Sequence, residues 1–299
     1  MKMNKNLLLC ILFSLLLVSC GHQNNGGMNV ATYNIRIINK QDSIDGNGWT
    51  QRLPHIADVI KFHGFDIFGT QEGLRPALND LKSSLQGYDY IGVGCDDGAD
   101  AGGNNAIFYN TDKFDLLDNG TFWLSETPDS ISFGWDAAYR RVCTWGKFRH
   151  RESGLRFIYY NLHLDHIGTV AQAESAKLIL RKIKEQPEPL PVILSGDFNV
   201  DQNSESYRLI NQSGVLLDAY DTAPLRYINT STFNNYDPHG SFLTPSGDFQ
   251  RIDHIFFSPD FTVKKYGVLT DTYRTQNTDS TIISRVPSDH YPVMVTVEL

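Results

Sequence analysis

Several short segments of this chain carry polar or ionisable side chains where an apolar run is ending. In Asn161-Leu162-His163-Leu164-Asp165, the two-residue period of a strand puts Asn161, His163 and Asp165 on one face and sends Leu162 and Leu164 into the core. In Gly196-Asp197-Phe198-Asn199 the same alternation pairs Asp197 with Asn199 and buries Phe198. In Arg251-Ile252-Asp253-His254-Ile255, Arg251 and Asp253 share a face. Glu72 closes the run Gly69-Thr70-Gln71-Glu72, and Asp289 and His290 precede the last apolar stretch. Asn34 interrupts Ala31-Thr32-Tyr33-Asn34-Ile35-Arg36. Polar groups at the ends of buried strands are costly unless they bond to each other, to a metal or to a ligand. A donor set of carboxylate and amide oxygens, with few histidines and no cysteine, suits Mg²⁺ or Mn²⁺ better than Zn²⁺.

The elements that must position these residues can be read from periodicity. Strands are predicted over 28–38, 66–70, 105–109, 155–164, 192–194, 251–257, 262–269 and 293–299. A helix is predicted over 54–63, with Ile56, Val59 and Ile60 on one face and Pro54 near its start. Others are predicted over 77–85 and 170–184, the latter with a basic C-terminal end. Residues 121–145 hold three tryptophans and read as irregular. Helices alternate with strands early and strands dominate late. No linker divides the chain, so residues 28–299 form one α/β domain.

Bulk properties narrow the reading. Of the 299 residues, 41% are hydrophobic and 20% charged, which is a globular balance and excludes a disordered or fibrous chain. Lys2 and Lys5 precede an apolar run, Leu7 to Val18, too short to span a bilayer comfortably. The run ends in Leu17-Val18-Ser19-Cys20-Gly21, which resembles the lipobox of bacterial lipoprotein signals. The expectation is a signal over 1–19, lipidation at Cys20, a tether over 20–27, and a cell-envelope protein lipid-anchored outside the cytoplasm. An ordinary secretory signal or a membrane anchor is the alternative. Without Lys2 and Lys5, 24 basic residues face 34 acidic ones, and the net charge moves from −8 to −10. That balance disfavours a generic binder of long nucleic acid, and no dedicated nucleic-acid-binding module is visible. Beyond Cys10 and Cys20 only Cys95 and Cys143 remain, at a spacing that argues neither for a disulfide nor for a zinc site.

Tyr33-Asn34, Gln71-Glu72, Asn161-Leu162-His163, Gly196-Asp197-Phe198-Asn199, Ile252-Asp253-His254-Ile255 and Ser288-Asp289-His290 occur in this order across nearly the whole domain. Together they resemble the endonuclease/exonuclease/phosphatase superfamily of deoxyribonuclease I-like phosphoesterases. Trp123-Leu124-Ser125-Glu126-Thr127-Pro128 and Gly134-Trp135-Asp136 are similar to a bacterial branch of it. The resemblance implies a four-layer sandwich, two packed mixed β-sheets flanked by helices, with the six segments meeting at one edge. It also implies metal-dependent hydrolysis of a phosphoester.

Roles follow residue by residue from that resemblance. Glu72, with Asn34 and Asp289, is expected on the metal side. Asp197, oriented by Asn199, would position and deprotonate the attacking water. His290 would bond a phosphate oxygen, its tautomer fixed by Asp253, although Asp253 could instead pair with Arg251. His163 would sit across the phosphate, stabilising the pentacovalent state or assisting the leaving group. Arg140 or Arg141 could reach the phosphate, and Asp165 could accept hydrogen bonds from sugar hydroxyls. Trp123 and Trp135 suit core packing better than the pocket. The substrate is expected to be a small extracytoplasmic phosphodiester or phosphomonoester, and the alternative is a secreted nuclease. Gln250-Arg251-Ile252-Asp253 differs from the corresponding strings of inositol polyphosphate 5-phosphatases and abasic-site enzymes. A non-catalytic binding protein on the same fold is disfavoured by the intact residue set.

Overall fold

The computed structural model describes residues 27–276 and 280–298. The predicted signal, Cys20 and the tether short of Gly27 lie outside the described residues. Thirteen strands form two large sheets. The first runs, edge to edge, Leu225–Tyr227, Thr262–Val268, Val293–Glu298, Met28–Asn34, Ile67–Gln71, Ile107–Asn110 and Tyr88–Ile91. The second runs Phe114–Trp123, Val142–His150, Arg156–His163, Val192–Asp197, Asp253–Phe257 and Leu217–Asp218. Both are mixed. Met28–Asn34 is parallel to Ile67–Gln71 and antiparallel to Val293–Glu298. Val192–Asp197 is parallel to Arg156–His163 and antiparallel to Asp253–Phe257.

The central strands are apolar on both faces, so both faces must be covered. In Arg156–His163, Phe157 and Tyr159 enter the core between the sheets. Ile158, Tyr160 and Leu162 face the other way, against Leu178 and Ile179 of the helix Thr169–Lys184 and Ile210 of Glu205–Asn211. In the first sheet Met28 and Val30 point inward. Ala31 and Tyr33 pack under the helices Trp49–His63 and Arg75–Ser84. Three hydrophobic clusters therefore separate four layers, as expected.

At one end of the inner faces polar side chains replace apolar ones. Thr32 and Asn34, Asn161 and His163, Ser195 and Asp197, and Asp253 are all buried there. Register aligns them, since His163 lies opposite Asp197 and Asp197 opposite Asp253. Asn161 ties the two sheets together. Its Oδ1 accepts from Gln71 Nε2 at 2.7 Å, and its Nδ2 donates to the carbonyls of Thr70 and Ala106 at 2.9 Å. The approach leaves no room at Gly69, where a Cβ would fall 2.3 Å from Asn161 Oδ1.

Some elements depart from the sequence expectation. The first strand stops at Asn34, because Arg36 adopts a left-handed φ of 60°. The helix predicted over 54–63 begins at Trp49, well before Pro54, which lies inside it. Gly48 N donates to Gln51 Oε1 at 2.8 Å, and Trp49 Nε1 anchors on Asp80 at 3.0 Å, so the early start outweighs the one backbone bond that Pro54 forfeits. The stretch 121–145 is not irregular throughout. Its ends belong to Phe114–Trp123 and Val142–His150, which pair antiparallel. A register shift between Leu116 and Asp118 breaks the alternation of the first of them.

Candidate active site

A cavity of about 650 Å³ opens where the polar ends of the two sheets meet, and Glu72, His163, Asp197, Asn199, Asp289 and His290 line it. Asp197 is its most buried acid. One carboxylate oxygen accepts from the backbone N–H of Asn199 at 2.9 Å, the other from Asn34 Nδ2 at 3.0 Å. Oδ2 also lies 3.4 Å from His163 Nε2 and 3.6 Å from His290 Nε2. Burial pushes Asp197 up to about 7, with Asp253 adding to the shift and His290 opposing it.

The two histidines differ in charge because their neighbours differ. His290 Nδ1 meets Asp253 Oδ2 at 2.9 Å while its Nε2 faces Asp197. Burial alone would lower its pKa, but the two carboxylates outweigh burial and hold it well above the usual range, so the ring is an imidazolium. His163 goes the other way. Burial, reinforced by Arg141 and His290, drives its pKa well below the usual value. Asn199 fixes its tautomer. The Asn199 Nδ2 that donates to the Leu164 carbonyl at 2.9 Å also lies 2.8 Å from His163 Nε2, so Nε2 accepts and Nδ1 carries the proton. Asn199 holds this position with a left-handed φ of 51°, which asparagine tolerates. Asp253 does not pair with Arg251, whose guanidinium bonds Asp218 at 2.9 Å instead.

On the opposite side lie Glu72 and Asp289. Glu72 sits at φ 65°, a strained conformation for a residue with a Cβ, and Ile37 N–H donates to its Oε2 at 2.8 Å. Asp289 is buried beside it, and its pKa is raised by burial and by repulsion from Glu72. Arg36 partly offsets this charge, reaching Asp289 at 3.2 Å and Asp42 at 3.0 Å. Two crowded acids facing one cavity, with hard oxygens and one shared guanidinium, fit a divalent cation. Asn34 lies between the metal-side and water-side acids. Its Oδ1 accepts from Arg36 N–H at 2.9 Å, and its NH₂ points at Glu72 at 3.1 Å and Asp197 at 3.0 Å. It therefore spaces the two acids, with one lone pair of its oxygen taken by Arg36 N–H. Asp197, Asp253 and His290 also bring ligand atoms within 4.8 Å of one another. There both ring nitrogens of His290 already face carboxylates, while Asp253 Oδ1 is buried without a partner among the described residues.

The substrate contacts are less uniform. Arg141 lines the cavity, its Nε 3.5 Å from Asp165 and its NH2 3.2 Å from His166 Nδ1. Asp165 does not reach the cavity. Its side chain is fully buried, and the backbone N–H groups of Ile167, Gly168 and Tyr139 occupy both oxygens together with Arg141. Burial opposes its charge, but these donors hold its pKa at about 2. It is a buttress for Arg141, so the expected contact with sugar hydroxyls is corrected. Trp123 donates to the Cys95 carbonyl at 2.8 Å and Trp135 packs against the outer core, and neither lines the cavity. Among the described residues Cys95 and Cys143 are free thiols. Arg36 and Asp96, which also line the cavity, were not singled out from the sequence. Arg36 carried a signal all the same, standing two residues beyond Asn34.

A two-sheet sandwich with these acids and histidines at one edge defines a class of metal-dependent phosphoesterases. Residues 31–290 match the Endonuclease/Exonuclease/phosphatase family, and the chain belongs to that family. It is accordingly an enzyme of phosphoester hydrolysis that depends on a divalent metal. A mannosyl-6-phosphatase of Bacteroides thetaiotaomicron is 52% identical, with a TM-score of 0.87 over 91% of this chain and 100% of that one. A family protein of Bacteroides vulgatus is 38% identical, with a TM-score of 0.79 over 91% of this chain and 99% of that one. The CCR4-Not complex 3'-5'-exoribonuclease subunit Ccr4 of Emericella nidulans is 26% identical over 321 residues, 82% of this chain but 46% of the fungal protein.

Proposed function

We propose that this chain is a phosphomonoesterase that uses Mg²⁺ or Mn²⁺ and acts on a small sugar phosphate, a mannosyl 6-phosphate being the first candidate. One observation carries the reading: every arginine that lines the cavity has its own carboxylate. Arg36 pairs with Asp42 and Asp289, Arg140 with Asp96, and Arg141 with Asp165. A track for nucleic acid needs uncompensated cations along the backbone path. A compact, charge-balanced cavity suits one phosphate on a neutral, hydroxyl-rich body. The identity shared with the mannosyl-6-phosphatase supports the same choice.

The roles follow from the geometry. Glu72 and Asp289 hold the metal, and Asn34 keeps Glu72 and Asp197 apart. The bound metal supplies charge to offset the negative charge that builds on the phosphoryl oxygens. Asp197, pushed up to about 7, accepts the proton of the attacking water, with Asn199 holding its other oxygen. His290, kept charged by Asp253, donates from Nε2 to a phosphate oxygen. His163, neutral and fixed by Asn199, closes the opposite wall without adding charge. The apolar run before Cys20 supports a lipid-anchored place in the cell envelope outside the cytoplasm, with the membrane met through that anchor.

A substrate panel with Mg²⁺ tests this reading. Phosphate should be released from mannose 6-phosphate much faster than bis-p-nitrophenyl phosphate is cleaved, and plasmid or oligonucleotide should stay intact. Efficient cutting of nucleic acid, without release from sugar phosphates, would establish the nuclease alternative.

A further inference from the structure

Arg140 is the cavity's least explained residue. Its guanidinium lies 4.4 Å from the centroid of the Phe133 ring, and NH1 donates to Asp96 Oδ1 at 3.2 Å. The stacked ring and the carboxylate together fix the plane of the group. Its Nε is buried and has no hydrogen-bond partner in the protein among the described residues. A buried donor without an acceptor costs free energy, so this arginine is not placed for folding stability alone. Asp96 beside it is half exposed and also lines the cavity.

We infer that the Arg140–Asp96 pair is the specificity-determining subsite that recognises hydroxyls of the leaving sugar. This rests on the sugar-phosphate reading above and extends it to the group the phosphate leaves behind. A sugar hydroxyl both donates and accepts, and a fixed guanidinium next to a carboxylate offers both complements side by side. A second phosphate would require net positive charge there, and this pair carries none. Nearby, Tyr139 is exposed and stacked on His166 with ring centroids 5.5 Å apart, so it presents an apolar face to the C–H surface of a pyranose ring.

The experiment compares kcat/KM for mannose 6-phosphate with kcat/KM for p-nitrophenyl phosphate, which has no sugar hydroxyls. Full-length wild type, Arg140→Met, Arg140→Lys and Asp96→Asn are measured with Mg²⁺, with thermal midpoints alongside. Arg140→Met and Asp96→Asn should each lower the sugar-to-nitrophenyl ratio by about tenfold or more, mainly through KM for the sugar phosphate. Arg140→Lys should recover part of the loss. An unchanged ratio, or an equal fall on both substrates, would overturn the subsite. If Arg140→Met is unstable, Asp96→Asn decides alone. Wild-type enzyme that turns over the nitrophenyl ester but no sugar phosphate would overturn the substrate reading itself, and the subsite with it.

Discussion

Two buried histidines share one cavity and differ in charge, and burial together with the groups around each decides which. His290 stays protonated because Asp253 and Asp197 flank it, whereas His163 is neutral because burial, Arg141 and His290 all oppose its charge. Asp253→Asn should therefore lower kcat by about 10²–10³-fold, by analogy with other carboxylate–histidine pairs. The sign of the pH effect is fixed. A raised pKa means that the charged ring persists until pH rises through it. Losing Asp253 lowers that pKa, so the alkaline fall in kcat/KM should move to lower pH in the variant, and a pH–rate profile checks it. Arg36 makes a second case at this scale. It offsets Asp289 beside Glu72, so Arg36→Ala should destabilise the metal-free protein by about 1–2 kcal/mol. Added Mg²⁺ should then raise the thermal midpoint more in the variant than in the wild type.

At the scale of strands and helices, the site is a row of strand ends. His163, Asp197 and Asp253 are cross-strand neighbours, and Asn161 bolts their sheet to the other through Gln71 and the Thr70 and Ala106 carbonyls. Gly69 is the clearance for that bolt. Gly69→Ala should destabilise the fold by about 2–3 kcal/mol through overpacking against Asn161 and Ser195, read as a lower denaturation midpoint with unchanged slope. Much of this row was legible in the sequence, because period-two alternation announces which side chains share a face. Asp197, His163 and Asp253 interrupt strong apolar runs and stand out for that reason. What alternation cannot reveal is the partner across a turn or a sheet. Arg251 shares a strand-end segment with Asp253 yet bonds Asp218, and Asp165 follows the pattern of His163 yet spends both oxygens on a loop. Asn34 was legible as a site residue but not as a spacer, because that role depends on which way its amide points. The strand that ends at Trp123 was hidden by a bulge.

For the whole molecule, charge and placement carry the account. A net charge of −8, with each cavity arginine paired, leaves little to attract a polyanion, while one phosphate still finds His290 and the metal side. No helix among the described residues is long and apolar enough to cross a membrane. The proposed attachment is at Cys20, so Cys20→Ser should abolish metabolic labelling by a fatty-acid analogue and release the enzyme to the soluble fraction. The central claim is that one metal-dependent site, with Glu72 on its metal side, releases phosphate from a sugar. Its most direct test is the Mg²⁺ dependence of phosphate release from mannose 6-phosphate by wild-type and Glu72→Gln enzyme. Turnover should be absent in chelator and recover saturably with Mg²⁺ in the wild type, and Glu72→Gln should lose about 10³-fold with the fold intact. Full turnover in chelator, or a Glu72→Gln enzyme as active as wild type at the same Mg²⁺, would contradict it.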